Sequence, residues 1–84
     1  MTNKEILKKQ IIYRSMHRGT KEMDLLLGNF VKKHIDMFSS TDLRDLEKLL
    51  FIEDEIIYKW YFEKNSNNAI PNTKVSMMLK NFKL

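Results

Sequence analysis

The sequence contains no cysteine, a single proline and only two glycines, and each shortage narrows what the chain can be. Without thiols there is no disulfide, no thiolate metal site and no cysteine nucleophile. With Gly19 and Gly28 alone, no glycine-rich loop for cradling phosphates can be written. No apolar run approaches the roughly 18–20 residues that cross a bilayer, so no membrane insertion is expected. Met1 to Gln10 is charged where a signal peptide has its apolar stretch. His17 and His34 have no ligand pattern around them, so no metal site is expected, and each reads as a surface or edge histidine. The hydroxyl side chains fall mainly where helix caps and loops use them, with no base paired to any of them. The chain is therefore read as a non-enzyme.

What is present suffices for one folded domain, 1–84. Hydrophobic residues make up 43% and charged residues 31%, a globular balance rather than a disordered one. The net charge of +4 is unevenly spread. Lys4, Lys8, Lys9, Arg14, Arg18 and Lys21 face only Glu5 in the first stretch, whereas Asp36 to Glu55 is dominated by acids. A basic surface of this kind suits nucleic acid, an anionic membrane or an acidic protein face, and charge alone does not choose among them.

Helical punctuation runs along the whole chain. Thr2 with Glu5 has capping-box spacing for a first helix over Asn3–His17, with Leu7, Ile11, Ile12 and Met16 predicted on one face. Gly19 is expected to end it in the left-handed conformation. Thr20 then caps a second helix bearing Met23, Leu26, Leu27, Phe30, Val31 and His34 at helical spacing. Ser39 to Asp42 starts a third, with Leu43, Leu46, Leu49 and Leu50 as its stripe, and Asp54 is expected to cap a short fourth holding Ile57, Trp60 and Tyr61. Asn65-Ser66-Asn67-Asn68 and Pro71 make a loop, after which Asn72 or Thr73 caps a last helix with Val75, Met78, Leu79 and Phe82 on one face. No period-two alternation occurs. The expected fold is all-α, a compact single-domain bundle of about five short helices.

The six methionines offer an adaptable contact surface or, as the plainer reading, core filling. Trp60 is expected in the core, with Tyr58 the most exposed of the aromatic group around it. The cluster His17-Arg18-Gly19-Thr20-Lys21-Glu22, with Asp24 after it, stands out. A tight turn between two helices would push Arg18 and Glu22 outward side by side, a fork of donors beside a carboxylate on one rigid corner. The alternative is that Arg18 and Glu22 merely pair across the turn.

Arg18-Gly19-x-x-Glu22 followed by Asp24 resembles the motif of the succinate dehydrogenase flavinylation factors. The Ser39 to Asp42 start, the Leu49-Leu50 pair, acidic Glu53-Asp54 and Trp60 stand in that family's order, so the resemblance covers roughly 11–79. It departs at His17, where many members have a second arginine, and at Phe51 and Ile56, where polar residues are common. The resemblance implies a five-helix fold and an assembly factor that binds the flavoprotein subunit of succinate dehydrogenase, or of fumarate reductase, and promotes covalent FAD attachment to it. It further implies Arg18, Gly19, Glu22 and Asp24 as partner-binding residues, flanked by His17 and Lys21. FAD would belong to the client, with no cofactor held by the chain itself. A monomer in the bacterial cytoplasm is expected, the mitochondrial matrix being the setting if a transit peptide has been removed.

Two other readings compete. A helix-turn-helix module would put the basic first helix and Lys21 on nucleic acid phosphates. Against it, Leu26, Leu27, Phe30 and Val31 claim much of the second helix for a core, and no nucleic acid partner is expected. The other reading is a generic helical adaptor with no flavoprotein client.

Overall fold

The computed structural model describes residues 2–66 and 68–84. Among them are five α-helices: α1 (Asn3–Met16), α2 (Lys21–His34), α3 (Ser40–Leu50), α4 (Asp54–Tyr61) and α5 (Lys74–Asn81), with a 3-10 turn at Ile35–Met37 between α2 and α3. No strand occurs among the described residues. Asn67, inside the expected loop, lies outside them.

Capping chemistry sets most of the helix starts. The hydroxyls of Thr2, Thr20, Ser39 and Thr73 each accept from a backbone amide three residues on, and Ser39 and Thr73 complete reciprocal boxes with Asp42 and Ser76. The fourth start differs from expectation. Glu53 occupies the cap position with no side-chain bond, and Asp54 is the first helical residue, its carboxylate directed elsewhere. Gly19 also differs, since neither glycine has a positive φ; among the described residues the left-handed one is Lys64, at φ 57. It lets the Asn65 amide reach back to the Lys59 carbonyl at 3.1 Å, a bond that closes the end of α4.

The core is built around α2. Met23, Leu26, Leu27, Phe30 and Val31 are buried, as are Leu43, Leu46, Leu49 and Leu50 of α3, Ile57 and Trp60 of α4, and Val75 and Leu79 of α5. Fully burying one such side chain stabilises by about 1.5–3 kcal/mol. These burials turn one face of α2 inward, while Leu25, Asn29, Lys32 and Lys33 keep the opposite face exposed. Phe30 lies at the centre, 6.3 Å from the Phe38 ring, 5.4 Å from Phe82 and 5.0 Å from His34.

On α1 the inward line is the half-buried Leu7 with the buried Ile11 and Ser15, rather than Leu7, Ile11, Ile12 and Met16. Ile12 is 39% and Met16 58% exposed. Four-residue steps from Ile11 lead to Ser15, while Ile12 sits about 100° around the helix. Ser15 tolerates burial because its hydroxyl donates to the Ile12 carbonyl at 2.8 Å. The methionines depart from core filling as well: Met23 is buried, but Met16, Met37 and Met77 are exposed. Trp60 is buried as expected, and Tyr58 shares its 38% exposure with Phe62.

The start of α3 is tied to α5 by Asp42 and Lys74, 3.6 Å apart. Burial pushes the Asp42 carboxyl up, but the Ser39 amide, the Lys74 ammonium and the Ser39 hydroxyl outweigh it and hold the group below its ordinary value of 3.8. A carboxyl held low in the folded state adds stability that is complete above its unfolded value, about pH 4, and is lost as pH falls through the folded one. Urea midpoints measured downward from about pH 6 should therefore fall less steeply for Asp42→Asn than for wild type below about pH 4.

Candidate functional site

The turn from α1 to α2 gathers the residues singled out in the sequence. His17 closes α1, its Nδ1–H donating to the Tyr13 carbonyl at 2.7 Å while its ring stacks on Tyr13 at 3.9 Å. One of the unpaired carbonyls at the helix end is thereby satisfied. The Arg18 amide donates to Asp24 Oδ1 at 2.6 Å, and Thr20 caps the next helix. These bonds bend the chain sharply without a left-handed residue.

Arg18 does not point outward beside Glu22. Its side chain is only 10% exposed and runs inward to the junction of α3 and α4. There Nε donates to Asp54 Oδ1 at 2.7 Å, one terminal nitrogen to the Leu50 carbonyl at 2.6 Å, and the other to the Ile52 carbonyl at 3.0 Å and to Asp54 Oδ1 at 2.6 Å. The physical reason is complementarity. The end of a helix exposes unpaired carbonyls and partial negative charge, and a planar guanidinium can serve two carbonyls and a carboxylate together. Asp54 completes the junction by accepting the Gly19 amide on Oδ2 at 2.7 Å. A Cβ added at Gly19 would stand 3.0 Å from that same oxygen. What a side chain would strain at this position is thus the close approach to Asp54 and not the φ.

Glu22 and Lys21 lie exposed on the first turn of α2, and Glu22 has no hydrogen bond or ion pair among the described residues. Pairing of Arg18 with Glu22 across the turn is therefore also overturned. The corner instead divides into an inner set, Arg18, Asp24 and Asp54, and an outer set, His17, Gly19, Lys21 and Glu22. Asp54 was missed as a site residue because its local position reads as a helix cap. Its partner is 36 positions away.

Alongside the corner is an open hollow of about 440 Å³ lined by Tyr13, His17 and Phe51 among others. Phe51 is 66% and Tyr13 63% exposed. Phe51 sits between the two carbonyls gripped by Arg18, and the Arg14 guanidinium covers its ring at 4.4 Å. Sequence spacing placed no aromatic there. A buried polar junction with an exposed rim holds a fixed shape and can present it to another surface.

Comparison with known proteins gives a consistent picture. Residues 9–83 match the family model described as "Flavinator of succinate dehydrogenase". Mitochondrial succinate dehydrogenase assembly factor 2 of Meyerozyma guilliermondii is 37% identical over 78 residues, covering 92% of this chain and 58% of the relative. The FAD assembly factor SdhE of Acetobacter pasteurianus is 32% identical over 73 residues, covering 87% of this chain and 64% of the relative. Mitochondrial succinate dehydrogenase assembly factor 2 of Dictyostelium discoideum is 40% identical over 60 residues, covering 71% and 43%. The chain thus spans about half to two thirds of the length of these first two relatives. No solved structure matches it.

Proposed function

This chain belongs to the family of succinate dehydrogenase flavinators, and from that premise we propose that it binds the flavoprotein subunit of succinate dehydrogenase and promotes covalent attachment of FAD there. The observation that carries this reading is the family match across residues 9–83. The flavoprotein subunit of fumarate reductase is a second proposed client. FAD is assigned to the client, and the chain acts without a cofactor or catalytic group of its own.

The chemistry asked of such a factor is positioning. Bond formation between flavin and protein needs the two groups held in reactive geometry, and orientation alone can supply a large part of the barrier reduction. A factor that binds the reactive arrangement of its client better than other arrangements shifts the population toward it. The corner suits that role in two layers. Arg18, with Asp24, holds the turn rigid from within, while His17, Gly19, Lys21 and Glu22 meet the client. The factor is proposed to act as a monomer in the bacterial cytoplasm, or in the matrix for a mitochondrial member. Among the described residues no helix is long and apolar enough to cross a membrane.

In-gel flavin fluorescence of denatured client subunit, matured with FAD alone, with the protein, or with its Glu22→Ala variant, tests the proposal. Wild type should raise covalent flavin, and Glu22→Ala should lose most of that gain. An exposed residue without partners costs within about 0.5 kcal/mol of stability on truncation, so the variant should melt like wild type. If wild type changes neither yield nor rate, the flavinylation reading fails and a generic adaptor takes its place.

A further inference from the structure

At the other end of α2, about 18 Å from Glu22 along the helix axis, a hollow of about 580 Å³ opens between the last turn of α2 and α5. We propose that it is a second docking site, which takes an acidic peptide segment of a partner protein and seats one of its apolar side chains. This does not depend on the flavoprotein reading, and the hollow shares no lining residue with the one beside Arg18.

The charge on its rim identifies the partner's sign. Lys33, Lys74 and Lys83 line the hollow, and no carboxylate does. From Lys64 to Leu84 the chain carries Lys64, Lys74, Lys80 and Lys83 and no acid. Lys33 and Lys83 have no carboxylate partner among the described residues; Lys33 lies 5.9 Å from the Phe82 ring centroid. Lys74 does meet Asp42, but at 3.6 Å with its side chain 70% exposed, a pairing that leaves the ammonium available. Lysines near helix ends also suit the helix dipole, Lys33 at the end of α2 and Lys83 just past the end of α5, but the dipole does not account for Lys74 at the start of α5 or for the lack of acidic side chains along it.

The floor identifies the second requirement. Met77 is 50% exposed, and Met78 and Phe82 stand beside it. Unbranched thioether side chains adapt to whatever apolar group is inserted among them. His34 also lines the hollow, and its Nδ1 is buried without a hydrogen-bond partner among the described residues. An imidazole nitrogen left in that state gains from any donor or acceptor that a bound segment brings. An anionic bilayer shares the charge preference, but it takes up apolar groups that stand proud of the surface. Here Met78 and Phe82 are partly buried against the core and share the hollow with Lys33, Lys74 and Lys83, which fits one inserted side chain.

The test titrates the ¹⁵N-labelled protein with a short glutamate-rich peptide carrying one central leucine, reading affinity by anisotropy and location by amide shifts. Saturable binding should move the amides of Met77, Met78 and Phe82, weaken as salt is raised, and weaken several-fold when serine replaces the peptide's leucine. Lys33→Glu combined with Lys83→Glu should reduce affinity about tenfold or more. The same charge change at Lys4 and Lys48, outside the hollow, should leave it within about twofold. Met77→Ser, a substitution at an exposed position, tests the floor should the double lysine variant not fold, and is expected to weaken binding several-fold. Absence of saturable binding, equal loss in the Lys4 and Lys48 control, or retention by vesicles of anionic phospholipid without a peptide-induced shift at these amides would overturn the proposal.

Discussion

Asp54→Ala is expected to destabilise the protein by about 2–4 kcal/mol, somewhat below the 3–5 kcal/mol typical of a fully buried pair that loses one member. The reduction reflects exposure, since the Asp54 side chain is 23% accessible and water can reach part of what remains. The truncation removes both contacts to the Arg18 guanidinium and the acceptor of the Gly19 amide. Arg18 keeps the Leu50 and Ile52 carbonyls but loses its counter-charge. For a chain of this size that is a large share of total stability, and the midpoint of thermal unfolding should fall by roughly 10–20 °C. Arg18→Ala should be similar, because it leaves two helix-end carbonyls and a carboxylate unpaired. The double variant should lose much less than the sum of the two, as expected of partners in one network. Urea unfolding of the four proteins measures this directly. An Asp54→Ala variant within about 0.5 kcal/mol of wild type would show that the junction is held by something other than this carboxylate.

That network marks where the sequence stops being readable. Helix starts depend on contacts three residues apart, so Thr2, Thr20, Ser39 and Thr73 could be identified from spacing, and all four act as caps. The buried faces of α2 and α3 follow from periodicity for the same reason. Arg18 could be singled out in the sequence but its direction could not be read there, because the groups it satisfies belong to the α3–α4 junction. Nothing near Arg18 in sequence announces those carbonyls. Asp54 was misread in the complementary way, its local helix-start position concealing a tertiary partner. The α1 stripe shifted onto Ser15 because a serine that bonds its own helix can be buried as readily as an apolar residue. Lys64 shows that a left-handed helix end does not require glycine when a backbone bond from Asn65 holds the turn. The exposed Phe51 follows from Arg18 as well, since the residue between two gripped carbonyls is displayed beside the corner.

Gly19→Val should cost about 2–3 kcal/mol, near the upper end for overpacking, although the backbone at this position is one that other residues can adopt. The first added carbon alone would stand 3.0 Å from Asp54 Oδ2. A flexible side chain could swing aside, but this carboxylate is pinned by the Gly19 amide on one oxygen and by Arg18 on the other. Relief must therefore come from stretching the same bonds that hold the junction, or from moving the turn that carries His17 and Glu22. Covalent flavin yield should fall with Gly19→Val even at temperatures where the variant remains folded, because the outer face of the corner is displaced. The mechanism makes a further demand on the energetics. Once Asp54→Ala has removed the carboxylate, no other heavy atom beyond the chain neighbours lies within 4 Å of the added Cβ, and replacing glycine restricts the unfolded chain, a gain of about 0.4–1 kcal/mol in compatible backbone. Gly19→Val should then be close to neutral in the Asp54→Ala background, giving a coupling energy of about 2 kcal/mol between the two positions. If valine is equally costly with and without Asp54, the penalty arises from the turn itself and the close approach to the carboxylate is not what requires glycine.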